Sequence, residues 1–325
     1  MTATIAPAAG PADLAEAGER PATAIRTQGL TKRYGSRAAV DDLSIQVPTG
    51  MVAGFVGLNG AGKTTTIRML LGLITPSDGS AEVLGQPISH PAAYLHRVGA
   101  MIEGPAFYPT LSARANLEVL ATLGGHPKTR IGQLLEQVGL ADRAKDRYRS
   151  YSLGMKQRLG IAAALLPEPA LLVLDEPANG LDPAGIIEIR DLLRGLADDG
   201  ITVFVSSHLL GEVEQISDWL VMIDHGRLLY DGPIDQILDR QQPELLVATE
   251  QPNDLATVAR LAAEAGHYST PANGHLLRIQ APASYAATLN RQAMAQGVTL
   301  AELRHEQPSL EETFLSMTTT TEARQ

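Results

Sequence analysis

One segment limits the possible folds of this chain more than any other: Gly57-Leu58-Asn59-Gly60-Ala61-Gly62-Lys63-Thr64, which matches the pattern G-x-x-x-x-G-K-[ST]. It follows an apolar run at residues 51–56 and precedes a segment with helical periodicity. Glycines allow backbone N–H groups to turn toward an anion, and a helix N-terminus carries partial positive charge. The segment therefore predicts a polyphosphate site, with Lys63 on the β- and γ-phosphates and the Thr64 hydroxyl on Mg²⁺.

Short apolar runs alternate with helical segments over most of the chain, which is typical of an α/β fold. Residues 171–174 and 201–205 are apolar at nearly every position. Strands buried on both faces of a mostly parallel sheet have this composition. Further runs with strand character are residues 43–47, 51–56, 81–84 and 98–102. We therefore expect a mostly parallel sheet with helices packed on it.

The composition changes twice along the chain and divides it into three predicted parts. Residues 1–23 are rich in Ala, Pro and Gly without apolar periodicity, which predicts a disordered leader. Residues 24–240 contain the α/β pattern. Residues 241–325 are predicted to form a separate, smaller domain.

Residues 241–325 have the pattern of a small α+β domain. Two strand-like runs, residues 244–248 and 275–279, are each followed by a helical segment. The last helix is well marked, because Ser309 and Glu312 have the spacing of a capping box.

Composition excludes several functional classes. The absence of cysteine excludes disulfides, thiolate metal sites and a thiol nucleophile. A net charge of −10 without a run of Lys or Arg argues against nucleic-acid binding. No stretch reaches the roughly 18 consecutive apolar residues that span a bilayer, and the first residues lack the pattern of a secretory signal. We therefore expect a cytoplasmic protein that contacts a membrane only through a partner.

Two carboxylates follow the apolar run at residues 171–174. Asp175 and Glu176 stand where the carboxyl end of a parallel strand forms the ligand site of an α/β sheet. Asp175 is predicted to hold the Mg²⁺ bound by Thr64. Glu176 is predicted to polarise a water in line with the γ-phosphate, either as general base or as the residue that positions this water.

Between the glycine-rich loop and this strand lies Tyr151-Ser152-Leu153-Gly154-Met155-Lys156-Gln157-Arg158. With these elements in this order, the chain resembles the nucleotide-binding subunit of ABC transporters from residue 24 to about residue 232. Ser152-Leu153-Gly154-Met155-Lys156 stands where that family has its LSGGQ signature. As residues alone, they predict an N-capped helix whose exposed N-terminus accepts a phosphate.

The resemblance implies a fold and a dimer. The fold is a P-loop ATPase with a mostly parallel sheet, an antiparallel β subdomain and a helical subdomain that contains the signature. Two subunits pair head to tail around two Mg·ATP, and Ser152 and Gly154 close over the ATP of the other subunit. Tyr34 stacks on adenine, Asp182 communicates across the dimer, and His208 contacts the γ-phosphate.

The catalytic residues are thus predicted to be Lys63, Glu176 and His208. The residues of the glycine-rich loop and helix that are predicted to contact ATP are Gly57, Asn59, Gly60, Ala61, Gly62, Lys63, Thr64 and Thr65.

Two features depart from the commonest family pattern. Glu103 follows the run at residues 98–102, where the family usually has a Gln that touches Mg²⁺. We predict that Glu103 is a metal ligand, and Glu at this place resembles the subgroup tied to bacitracin and lantibiotic self-protection. The part from residue 241 onward resembles the tail of drug-resistance-type ATP-binding subunits, and no chemistry is predicted for it.

These observations predict an ATPase subunit, peripheral to the cytoplasmic face of the membrane, that drives a separate transmembrane permease. Its expected partners are the permease and a second ATP-binding subunit, identical or homologous. The expected cargo is an exported antibiotic, peptide or amphiphile. Two alternatives stay open: an ATPase of the same fold that is not tied to transport, and a non-hydrolysing subunit of a heteromeric transporter.

Overall fold

The computed structural model describes residues 22–104, 106–239, 243–272, 275–306 and 309–322. Strands and helices are numbered in chain order. All but the last two residues of the predicted leader, residues 1–23, lie outside the described residues, and Thr23 already belongs to the first strand.

A six-stranded sheet lies at the centre of the molecule. Its strands are β4 (Val52–Val56), β7 (Val98–Met101), β8 (Leu171–Asp175), β9 (Thr202–Ser207), β10 (Trp219–Asp224) and β11 (Arg227–Pro233). They lie side by side in the order β11-β10-β4-β9-β8-β7, and each neighbouring pair is parallel except β10 with β11. This topology confirms the predicted α/β fold with its mostly parallel sheet.

Burial on both faces explains the composition of the central strands. Every residue of β4, β8 and β9 is buried. Phe55 of β4 stacks on Phe204 of β9, with 5.1 Å between the ring centroids. Because neither face meets water, an apolar side chain is favoured at each position, and this is why the runs at residues 171–174 and 201–205 could be recognised as strands.

A second, antiparallel sheet packs against one face of this core. Its strands are β1 (Thr23–Tyr34), β2 (Arg37–Leu43), β3 (Gln46–Pro48), β5 (Asp78–Val83) and β6 (Gln86–Pro87). The prediction of one strand at residues 43–47 is wrong, because β2 ends at Leu43 and β3 begins at Gln46. Between them, the Thr27 hydroxyl donates to the Leu43 carbonyl at 2.7 Å and accepts from the Ile45 N–H at 3.0 Å. A side chain thus replaces part of the backbone ladder.

Helices cover the central sheet and form a separate layer beside it. They are α1 (Lys63–Leu70), α2 (Ala113–Gly124), α3 (Ile131–Gln137), α4 (Leu153–Ala164), α5 (Pro183–Asp198), α6 (Leu210–Ile216) and α7 (Ile234–Asp239). Helices α2, α3 and α4 pack on one another through Leu117, Ile131 and Leu159, none of which is exposed. This helical subdomain contains the predicted signature at the start of α4.

None of the helices in the described ranges has both the length and the hydropathy needed to cross a bilayer.

The C-terminal part contains a third sheet of four antiparallel strands. It consists of β12 (Glu244–Thr249), β13 (Ser269–Ala272), β14 (Leu276–Gln280) and β15 (Leu300–Glu306), in the order β13-β14-β12-β15, with helices α8 (Leu255–Glu264) and α9 (Ala286–Ala295). Strands β12 and β14 match the predicted runs. Strands β13 and β15 were not predicted, because most of their residues are partly exposed and lack an apolar pattern.

The last helix, α10 (Leu310–Glu322), returns to the central domain. Its N-terminus has the predicted capping box: the Glu312 N–H donates to the Ser309 hydroxyl at 3.2 Å, and the Ser309 N–H donates to Glu312 at 3.3 Å. Leu310 and Phe314 are buried with α6 and α7 side chains, and the Leu310 N–H donates to Glu214 of α6 at 3.0 Å. Helix α10 follows the predicted boundary near residue 241 in sequence, but it packs on helices α6 and α7, which precede that boundary.

Candidate active site

Three adjacent strands of the central sheet end at the same edge and bring the predicted site residues together. The glycine-rich loop follows β4, Asp175 ends β8, and Ser207 ends β9. In the parallel register, Asp175 lies opposite Ser206 and Val56 lies opposite Ser207. The carboxyl ends of parallel strands are where α/β proteins bind ligands. The central sheet thus places the loop, the carboxylates and the histidine side by side.

The loop residues present backbone N–H groups and one buried ammonium. Gly62 precedes α1 with a φ of 108°, and a Cβ there would lie 2.5 Å from the Ala39 carbonyl oxygen, so the turn requires glycine. Lys63 is 6% exposed, and its ammonium donates to the Gly57 carbonyl at 2.6 Å. The first N–H groups of α1 have no partner within the helix, so they favour an anion at this end.

Thr64 and Asp175 form a pair of oxygen donors beside the loop. The Thr64 hydroxyl donates to Asp175 Oδ2 at 2.7 Å, and Asp175 is 6% exposed. Mg²⁺ takes oxygen ligands and is usually held by one or two carboxylates together with substrate phosphates. The donor set present here fits that metal.

Glu176 contacts both Lys63 and His208. Its Oε1 lies 3.2 Å from the Lys63 ammonium, and its Oε2 lies 2.7 Å from His208 Nδ1. The backbone of Glu176 has a φ of 52°, a left-handed conformation that is costly for a residue with a side chain. Glu176 and His208 keep partial exposure, at 21% and 28% of their side chains, so a water can reach the carboxylate.

A cleft opens in front of these groups. Its lining residues are Arg37, Ala39, Asn59, Gly60, Gly62, Lys63, Thr64, Thr65 and Glu176. Most of them are the residues predicted to contact ATP. Arg37 and Ala39 of β2 were not predicted, since nothing in the sequence indicates that β2 crosses in front of the loop.

Tyr34 lies at the end of β1, beside the cleft. It faces Arg37 across the β1–β2 turn and is 53% exposed, with the Lys32 ammonium 5.3 Å from its ring centroid. An exposed ring at the cleft edge fits the predicted stacking on a base.

The signature residues lie on another part of the surface. Ser152 caps α4 by accepting from the Met155 N–H at 3.3 Å, and Ser152 is exposed. In the described part of the chain, the lining of the cleft at Lys63 includes neither Ser152 nor Gly154. Asp182 likewise caps α5, accepting from the Gly185 N–H at 3.0 Å. Neither Ser152 nor Asp182 lines the cleft beside the phosphate loop, as far as the described residues show.

Glu103 lies in the loop after β7 and forms an ion pair with Arg68 of α1. Its side chain is 64% exposed, and Glu103 does not line the cleft among the described residues. The structure therefore does not bring Glu103 to Thr64 and Asp175. The prediction that Glu103 binds the metal stays a prediction.

A small, mostly apolar cavity lies behind the catalytic groups, between α5 and α6. Glu212 of α6 contributes to its lining, with Arg190 of α5. Burial raises the pKa of the Glu212 carboxyl; His208 lowers it and Glu176 raises it further. The Glu212 carboxyl thus interacts electrostatically with His208 and Glu176, although Glu212 does not line the cleft among the described residues.

This fold and this edge of the sheet define the chain as a nucleoside triphosphatase with a phosphate-binding loop. A family model for ABC transporters matches residues 40–179. The bacitracin transport ATP-binding protein BcrA of Bacillus licheniformis is 42% identical over 91% of this chain and 97% of its own length. The chain belongs to the ABC transporter family, as an ATP-binding subunit that hydrolyses ATP to power transport.

Two further matches each cover about two thirds of this chain. The lantibiotic transport ATP-binding protein SrtF of Streptococcus pyogenes is 41% identical over 64% of this chain and 92% of its own length. A solved structure of the ATP-binding subunit of an ABC transporter has a TM-score of 0.60 and 30% identity, over 67% of this chain and 93% of that one. The match with BcrA spans 298 residues, so it extends into the C-terminal domain.

Proposed function

We propose that this subunit powers the export of a peptide antibiotic of the bacitracin or lantibiotic type, through a separate permease. The cluster of Lys63, Thr64, Asp175, Glu176 and His208 at one edge of the sheet is the observation that supports ATP hydrolysis at this site. Similarity to BcrA over most of both chains supports the cargo class.

In this proposal each group of the site has one role. Lys63 and the N–H groups of the loop hold the β- and γ-phosphates, because they present positive charge in a buried position. Glu176 accepts the proton of the attacking water, and His208 contacts the γ-phosphate. The 2.7 Å contact between them keeps the Glu176 carboxylate turned toward the cleft.

Thr64 and Asp175 are proposed to hold Mg²⁺. The metal would neutralise charge on the phosphate oxygens. The Thr64 hydroxyl already lies 2.7 Å from Asp175 Oδ2, so both donors face one point. Glu103 is proposed to join them when it is released from Arg68.

The subunit is proposed to act as a dimer, as two copies or with a homologous subunit. Ser152 and Gly154 would bind the ATP of the other subunit at the N-terminus of α4, where the helix favours an anion. Asp182 would face the same interface, and Tyr34 would stack on adenine. The permease would hold this pair at the cytoplasmic face of the membrane.

Replacement of Glu176 by Gln tests the catalytic part of the proposal. Glu176→Gln keeps the size and removes the base, so hydrolysis should fall on the order of 10²–10⁴-fold while ATP binding persists. Steady-state phosphate release and the binding of a fluorescent ATP analogue measure the two properties.

Glu168→Gln is a matched control, because Glu168 also has a positive φ, of 54°, and pairs with a basic residue, Arg130, instead of the site. It should hydrolyse ATP at the wild-type rate. In cells that lack the wild-type chain, Glu176→Gln should leave sensitivity to bacitracin or a lantibiotic unrelieved, whereas Glu168→Gln should restore resistance. Wild-type turnover by Glu176→Gln would show that Glu176 is not the base for ATP hydrolysis.

A further inference from the structure

Ser206 is a buried residue near the end of β9 for which the sequence predicts no role. Its exposure is 0%, and it lies opposite Asp175 of β8 in the parallel register. In the described part of the chain, the cleft lining does not include Ser206. Its route to the cleft therefore runs through neighbouring residues.

The Ser206 hydroxyl contacts both carboxylate residues of the site. It donates to Asp175 Oδ1 at 2.5 Å and accepts from the backbone N–H of Glu176 at 3.0 Å. A serine hydroxyl can donate one hydrogen bond and also accept one. Here it donates to Asp175 and accepts from Glu176 through the same oxygen atom. The single side chain thus connects the predicted metal ligand with the predicted base.

For Asp175, the bond from Ser206 fixes the rotation of the carboxylate. Oδ1 is held by Ser206 at 2.5 Å, and Oδ2 is left toward the Thr64 hydroxyl at 2.7 Å. Partners that orient a metal-binding carboxylate contribute strongly to metal affinity, and their loss typically costs about 10–100-fold. Oδ2 is the oxygen on the side of the predicted metal.

For Glu176, the bond to Ser206 holds a backbone in an uncommon conformation. The φ of 52° directs the side chain toward His208, whose Nδ1 lies 2.7 Å from Oε2. The Ser206 carbonyl also accepts from the same Glu176 N–H at 3.2 Å. Without the hydroxyl, only the carbonyl bond remains to hold this turn.

We propose that Ser206 is a positioning residue for ATP hydrolysis: its hydroxyl orients the Asp175 carboxylate toward the metal and holds the Glu176 backbone so that the base faces the water. This proposal deepens the roles proposed above for Asp175 and Glu176 and rests on them. In this proposal Ser206 contacts neither nucleotide nor metal.

Ser206→Ala removes the hydroxyl and should leave the backbone of β9 unchanged. Its expected effects are a kcat lowered about 10- to 100-fold and a Mn²⁺ dissociation constant raised about 10- to 100-fold. Mn²⁺ is titrated in the presence of ADP and followed by electron paramagnetic resonance. Binding of a fluorescent ATP analogue in EDTA should stay within about twofold of wild type, since the loop and Lys63 are untouched.

Thr202→Val is the matched control, because Thr202 is a buried residue of the same strand whose hydroxyl accepts from the Gly50 N–H at 2.9 Å, at the opposite end of β9. Both variants lose one buried hydrogen-bonded hydroxyl, so both should lower the melting temperature similarly. Only Ser206→Ala should change Mn²⁺ affinity and kcat, and Ser206→Thr, which keeps the hydroxyl, should restore both.

Mn²⁺ affinity and kcat of Ser206→Ala equal to those of Thr202→Val would overturn the proposal. The Glu176→Gln variant separates this failure from failure of the proposed function. If Glu176→Gln is inactive and Ser206→Ala is normal, only the role of Ser206 is wrong. If Glu176→Gln hydrolyses ATP normally, the role of the base is wrong, and the Mn²⁺ titration still decides whether Ser206 orients Asp175.

Discussion

Each oxygen of the Glu176 carboxylate has its own charged or polar partner. Lys63 lies 3.2 Å from Oε1 and His208 Nδ1 lies 2.7 Å from Oε2. Two partners on different oxygens define the plane of the carboxylate, which a single contact would leave free to rotate. Orientation of the base is thus fixed by the same lysine that is proposed to bind phosphate.

Glu212 provides a test of the electrostatics around this cluster. Burial, the largest cause, raises the pKa of its carboxyl, so the folded protein binds this proton more tightly than the unfolded chain does. The free energy of unfolding should therefore fall as the pH rises from the ordinary carboxyl pKa through the raised value. Glu212→Gln cannot ionise and should be more stable than wild type at pH 7, measured by urea unfolding.

Near pH 4 the difference between Glu212→Gln and wild type should shrink, because wild-type Glu212 is then protonated in both states. The ionisable groups near the carboxyl include His208, Glu176 and Arg190. Stability curves of the two proteins that run parallel from pH 4 to pH 8 would show that burial of Glu212 has no cost.

The site residues differ in how far the sequence could predict them. Lys63 and Thr64 could be predicted because they follow a glycine-rich loop, and Asp175 could be predicted because it ends a buried strand. Ser206 has none, because its importance depends on the register of β8 against β9, which is set by packing of the whole sheet. Glu103 shows the reverse: its position after β7 is as expected, but its side chain pairs with Arg68.

At the scale of single elements, α10 packs its buried apolar side chains on the nucleotide domain. Phe314 is 1% exposed and Leu310 is not exposed, and both pack with Val213 of α6 and Ile237 of α7. Helix α6 begins two residues after His208, so α10 supports the helix that follows the histidine.

Phe314→Ala should lower the free energy of unfolding of the nucleotide domain by about 3–5 kcal/mol, because it empties a buried, well-packed position. Urea unfolding with a bound fluorescent nucleotide as the probe reports on this domain. Leu315→Ala is the control, since Leu315 is the next residue of the same helix and is 61% exposed; it should change stability by less than about 0.5 kcal/mol. Equal effects of the two variants would mean that α10 is only loosely attached.

The elements themselves could be predicted wherever burial imposes a pattern. Strands β8 and β9 are buried on both faces and read as apolar runs, whereas β13 and β15 are half exposed and carry mixed residues. The break between β2 and β3 depends on the Thr27 hydroxyl, which lies far away in sequence. A side chain that joins a backbone ladder leaves no periodicity to detect.

At the scale of the whole molecule, the two helix N-termini that are proposed to bind phosphate differ in their position relative to the cleft. The N-terminus of α1 opens on the cleft, and Ser152 at the N-terminus of α4 is exposed and outside it as far as the described residues show. We therefore propose that the two N-termini of one chain bind different nucleotides. A second subunit completes the site in the proposed dimer.

Ser152→Asp should abolish the dimer that forms in ATP. Aspartate still caps the helix, so α4 should remain folded, but its charge repels the γ-phosphate of the other subunit. The variant is made together with Glu176→Gln, which prevents hydrolysis, and the mass in ATP is measured by light scattering after gel filtration. A monomer with unchanged ATP affinity is the expected result.

Ser112→Asp is the matched control, because Ser112 caps α2 in the same way, accepting from the Ala115 N–H at 3.1 Å. It should leave the ATP-dependent dimer intact. A dimer of Ser152→Asp in ATP would contradict the proposed contact between α4 and the other subunit's nucleotide.

The docking of α10 also has a consequence for biosynthesis. The apolar groove formed by α6 and α7 is complete when residue 239 has been made, but Leu310 and Phe314, which fill it, are translated about 70 residues later. At about 5–20 residues per second, the ribosome needs roughly 4–14 s to add the intervening residues. During this interval the nascent nucleotide domain presents an uncovered hydrophobic groove, and a chain that stalls before α10 keeps this groove exposed to chaperones and proteases.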